Sequence, residues 1–131
     1  MALYSFPLFF VFSVNRVTLL GNATRDPETP VTASGHPLTV LGLATDRQWT
    51  DDHGSRHSET EFHRLVCFGA LASLAAERVR KGSPLYVEGR LHTARWNTDH
   101  GEASRTEIVV DRLVLLSTRR DTAPDAAENA A

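Results

Sequence analysis

One stretch, Gly69–Lys81, follows an apolar period unlike the sequence on either side, and this interruption limits the possible folds more than any other feature. Leu71, Leu74, Ala75 and Val79 recur there at helical spacing, which puts them on one face of a helix. Arg78, Arg80 and Lys81 are expected in the last turn, where positive charge suits the helix dipole, and Gly82 supplies the stop. Elsewhere, short β-branched and apolar runs alternate with Gly, Pro, Asp and Asn clusters, the pattern of strands and turns. The strands are read as Val14–Asn22, Pro37–Gln48, Glu61–Phe68, Pro84–Trp96 and Thr106–Ser117, with a polar loop Thr50–Thr60 and a hairpin tip Asn97–Gly101.

Three strands, one helix and two further strands is the order of an oligonucleotide/oligosaccharide-binding (OB) fold. The expected class is therefore all-β: a five-stranded Greek-key barrel with one helix between strands 3 and 4. An SH3-like barrel does not need that helix. The 131 residues suffice for one domain, assigned here to residues 14–118, and 41% hydrophobic with 23% charged residues is a globular composition. Residues 1–13 form an apolar extension too short for a membrane span, which needs about 20 residues. It has neither the basic start and cleavage site of a secretory signal nor the arginines of a transit peptide. It is read as an upstream leader or misassigned start, with a partner-contact segment and an export signal as competing readings. Residues 119–131 are read as a short disordered acidic tail.

The net charge of −2 announces no nucleic acid, but the last eleven residues hold three acids and no base. Without them, 14 basic residues face 13 acidic ones. A near-neutral body still binds phosphates if its arginines gather on one face. The single cysteine, Cys67, excludes an intrachain disulfide and reads as a small buried hydrophobe. His53 and His57 lie in a polar loop without nearby cysteines, so a solvated loop is the reading and no metal is expected.

Side chains alternate across a strand, so parity sorts residues into faces. In Glu61–Phe68, Phe62, Arg64, Val66 and Phe68 share one face, and His63, Leu65 and Cys67 the other. In Pro84–Trp96, Leu85, Val87, Gly89 and Leu91 read as core, with Tyr86, Glu88, Arg90, His92 and Trp96 turned away from it. Aromatics interleaved with bases on a solvent face suit single-stranded nucleic acid. Bases stack on the rings at ~1–3 kcal/mol each, while cations follow the phosphates. Taken singly, each aromatic reads as core or as a subunit contact; several on one exposed parity favour binding.

An ordered set of short segments adds to this reading: Val14-Asn15-Arg16-Val17, Leu20-Gly21-Asn22, Arg25-Asp26-Pro27, Leu43-Ala44-Thr45, Thr60-Glu61-Phe62-His63-Arg64, Phe68-Gly69, Arg80-Lys81-Gly82-Ser83, Tyr86-Val87-Glu88-Gly89-Arg90-Leu91 and Arg95-Trp96. From about Val14 to Leu116 the chain resembles the bacterial and mitochondrial single-stranded DNA-binding protein family. The resemblance implies stacking roles for Trp49, Phe62 (where the family usually has tryptophan), Phe68 and Trp96. It implies DNA-contacting roles for Arg64, Arg80, Lys81 and Arg95, and His92 joins this set where the family often has arginine. His63 matches a histidine associated with the subunit interface, and the family usually assembles as a homotetramer. The function implied is sequence-independent binding of single-stranded DNA, protecting it during replication, recombination and repair, in the cytoplasm on the bacterial nucleoid. Neither cofactor nor membrane partner is expected.

The departures are specific. Ala70 replaces a lysine common in the family, and His92 and Ala94 replace arginines. The family's acidic C-terminal tip closing on phenylalanine has no counterpart in Asn129-Ala130-Ala131, which puts recruitment of replication and repair proteins in doubt. The alternative function is an OB-fold assembly module or accessory paralogue with weakened DNA binding. An enzyme is the other class considered, from Asp51, Asp52 and His53. Adjacent acids in a Gly/Ser loop read as a solvated turn, and no nucleophile–base pair or phosphate-cradling motif accompanies them, so no catalysis is expected.

Overall fold

The computed structural model describes residues 12–116. Its elements run β1 Val17–Ala23, β2 Leu38–Thr50, β3 Arg56–Phe68, α1 Gly69–Arg78, β4 Pro84–Thr98 and β5 Gly101–Leu115. The five strands close into a barrel in the order β1-β2-β3-β5-β4, with β3 and β5 joined in parallel and the other pairs antiparallel. A closed five-stranded barrel with its one helix between the third and fourth strands is the OB fold. The apolar extension and acidic tail lie outside the described residues, apart from Phe12 and Ser13.

Inward-facing residues of one parity fill the barrel: Leu41 and Leu43 from β2, Leu65 and Cys67 from β3, Leu85 and Val87 from β4, Ile108 and Val110 from β5. α1 closes one end through Ala72 and Ala75, small residues that let the helix approach closely, and Val79 is buried just past its last turn. The Thr39 hydroxyl, itself buried, donates to the Ala72 carbonyl at 2.7 Å and ties the helix to β2. Gly89 sits at a bulge where β4 and β5 shift register, and a Cβ there would collide with the Val109 carbonyl. Only glycine permits that approach.

Several boundaries differ from the sequence reading, each for a tertiary reason. The helix ends at Arg78, so Arg80 and Lys81 fall in the following turn, where Gly82 takes φ 91°. The predicted loop Thr50–Thr60 shrinks to the turn Asp51–Ser55, because Arg56–Thr60 pair residue for residue with Asp46–Thr50. β5 likewise starts at Gly101 rather than Thr106, pairing with β4 out to Thr98. Polar side chains hid both extensions; main-chain pairing across each hairpin makes them strand. β1 starts at Val17, and ahead of it the Asn15 amide substitutes for main chain, donating to the Leu91 carbonyl and accepting from its N–H at 2.9 Å each. Two β-ribbon arms therefore project beyond the barrel: the outer parts of β2–β3 and of β4–β5.

Candidate nucleic-acid interface

The barrel's outer face gathers chemistry from three adjacent strands. β3 contributes Phe62, Arg64 and Phe68, with Phe62 73% exposed and Phe68 54%. The register of β4 against β5 sets Arg90 beside Val109, His92 beside Glu107, Ala94 beside Arg105 and Trp96 beside Ala103, all on that side of the sheet. The parallel join of β3 to β5 brings Arg64 alongside Glu107. Arg64 Nε donates to Glu107 Oε1 at 3.3 Å, and Arg105 Nε lies 3.7 Å from the same oxygen. The Arg105 guanidinium also sits 5.2 Å from the Trp96 ring centre, within cation–π range. Trp96 stays 42% exposed, leaving ring surface open to solvent.

Trp49 lies elsewhere. Its pairing with His57 is in unbroken register with Leu41–Leu65, so it shares the parity of the core, on the ribbon face opposite Phe62. It is solvent-accessible because the arm has left the barrel. There it belongs to a row of stacked groups: the His57 ring at 5.3 Å and 21° and the Arg47 guanidinium at 4.3 Å, with Arg47 paired to Glu59 at 3.4 Å. His57 Nε2 meets Asp51 Oδ2 at 2.8 Å, while Asp51 Oδ1 accepts the N–H groups of His53 and Ser55 at 2.9 Å each. The His57 contact, then the Ser55 N–H, holds the Asp51 carboxyl below its ordinary range. Asp51 is thus committed to closing the turn, and among the described residues no three His, Cys, Asp or Glu side chains are grouped to hold a metal.

The remaining residues singled out from sequence are dispersed. Arg95 has the opposite parity to Trp96 and pairs with Ser104, so it lies on the other face of its arm. Arg80 turns its Nη1 onto the carbonyls of Val79 at 2.6 Å and Ala76 at 3.2 Å, capping the helix end. Lys81 is exposed, its N–H held by Asp26 Oδ1 at 2.9 Å. His63 Nε2 is 2.9 Å from the Thr45 hydroxyl, within the same protomer. Two exposures depart from what parity suggested: Val66, on the outward parity, is buried, whereas Leu91, on the core parity, is 49% exposed where β4 leaves the barrel. Sequence reasoning did not find Arg47, Arg105 or Glu107, and read His57 only as part of a solvated loop. A cross-strand guess of register was the one signal for them, and sequence alone does not supply register.

Aromatic rings and arginine side chains together on a β-barrel face are the combination that suits a nucleic-acid binder of the single-strand type. The sequence matches the single-strand binding protein family over residues 14–116, and the chain belongs to that family. Among solved structures it is similar to Plasmodium falciparum SSB in complex with ssDNA, at 29% identity and a TM-score of 0.74, covering 82% of this chain and 98% of that one. It is also similar to a deletion mutant of the single-stranded DNA binding protein from Thermus aquaticus, at 28% identity and a TM-score of 0.73. That match covers 82% of this chain and 53% of the Thermus chain.

Proposed function

We propose that this chain, a single-stranded DNA-binding protein by family, holds its strand on the outer face of β3, β4 and β5 and protects it without catalysis. The supporting observation is the gathering of Phe62, Phe68 and Trp96 with Arg64, Arg90 and Arg105 on adjacent strands. Rings on this face offer sequence-tolerant stacking, and the arginines offer phosphate contacts. Trp49, Lys81 and Arg95 lie off that face, so their engagement requires the strand to pass around the arms. Arg80 contributes mainly by fixing the helix end, and His92 sits on the face as a weaker phosphate partner than arginine. The site of action is the cytoplasm, on the nucleoid. Titration of tryptophan fluorescence with oligo-dT and with matched duplex at several salt concentrations tests the proposal. Quenching by oligo-dT alone, weakened by salt, is expected; equal response to duplex, or none to either, refutes it.

The assembly proposed is a homotetramer. Its support is a partly exposed apolar row on the opposite flank, where Leu20 of β1 pairs with Tyr86 of β4 and Tyr86 with Val114 of β5. Leu20 is 63% exposed, an unusual state for a strand leucine beside two further apolar side chains. The Tyr86 hydroxyl donates to Glu88, which raises the phenol's pKa above its ordinary value. His63 is assigned to a subunit contact on family grounds. Light scattering that finds a stable monomer overturns the assembly.

A further inference from the structure

Glu107 is an acid where a DNA-binding face should exclude one. It has outward parity between Arg64 on β3 and His92 on β4, yet only 9% of it is exposed. A carboxylate so placed repels phosphate unless its charge is already committed, and a buried carboxylate must be paired. Both conditions are met by one atom: Oε1 accepts from Arg64 Nε at 3.3 Å and lies 3.7 Å from Arg105 Nε. Each arginine uses its inner nitrogen. The Nη groups, the fork that binds phosphate two-pronged, have no hydrogen-bond or ion-pair partner among the described residues.

We propose that Glu107 is a positioning residue for single-stranded DNA: it splints Arg64 and Arg105 from beneath, so that their Nη forks face the phosphates and the Arg105 plane stays over Trp96. This inference rests on the outer-face reading proposed above. Without the splint both arginines are long, mobile side chains that must be ordered each time a strand binds, at an entropic cost. Removing the acid should therefore weaken binding, although it raises the net charge by one. Simple electrostatics predicts the reverse sign.

The test is Glu107→Gln, which keeps size and one acceptor oxygen but loses the charge. Affinity for oligo-dT is measured against salt in the parent, Glu107→Gln, Arg64→Ala/Arg105→Ala and the triple variant, with a thermal melt of each. We expect Glu107→Gln to bind roughly three- to tenfold more weakly, as two partly exposed ion pairs are loosened. Its log affinity–log salt slope should be shallower by up to about 0.7 for each phosphate that is no longer neutralised. In the Arg64→Ala/Arg105→Ala background the same substitution should no longer weaken binding. Tighter or unchanged binding by Glu107→Gln overturns the splint, as does equal weakening with the arginines absent, which marks a purely structural role. If Arg64→Ala/Arg105→Ala binds like the parent, the outer-face reading itself has failed, and the two failures are told apart.

Discussion

Replacing Phe62 with alanine should separate binding from folding more cleanly than any other aromatic substitution here. With 73% of the residue exposed, about a quarter of its surface is covered. Full burial of a phenylalanine side chain is worth ~1.5–3 kcal/mol, so the change should cost well under ~1 kcal/mol of stability. For a domain of this size ~1 kcal/mol corresponds to a melting shift of roughly 4–8 °C, and a smaller shift is expected. A base stacked on the ring contributes ~1–3 kcal/mol, so Kd for oligo-dT should rise about 5- to 150-fold. The assay is quenching of Trp49 and Trp96 emission by oligo-dT at fixed salt, with melts at one protomer concentration so that assembly does not confound them. Unchanged affinity with an unchanged melt would remove Phe62 from the DNA path. A large drop in melting temperature would show that the ring is buried against another protomer.

Leu65→Ala should do the opposite, because Leu65 is fully buried at the barrel centre. A loss of ~2–5 kcal/mol is expected in urea melts. Ala70→Lys, at an exposed position beside Phe68, should steepen the log affinity–log salt slope by about 0.7 if the new cation reaches a phosphate. Burial pushes the Cys67 thiol up to about 11, while the unfolded chain ionises near 9. Between these values the folded state holds the extra proton, so stability should fall as pH rises through that window, and Cys67→Ala should lack this component.

Fold order was legible in the sequence because period is local. Leu71, Ala75 and Val79 announce a helix among strands whatever they pack against, and three strands, a helix and two strands leave few barrels to choose from. Phe62, Arg64 and Phe68 were legible as neighbours because alternation along one strand follows from covalent geometry. Register was not legible, since it depends on residues far apart in the chain meeting across a sheet. Pairing in the β2–β3 ribbon decided that Trp49 lies on the face opposite Phe62, against His57 and Arg47. Arm length decided that Leu91, correct in parity for the core, is exposed where the barrel has ended. The loop Thr50–Thr60 became strand because main-chain hydrogen bonding does not require apolar side chains. Glu107 shows the division most sharply. Its strand and parity could be read from sequence, but its meaning came from Arg64, 43 positions earlier, reached only when β3 and β5 close the barrel in parallel.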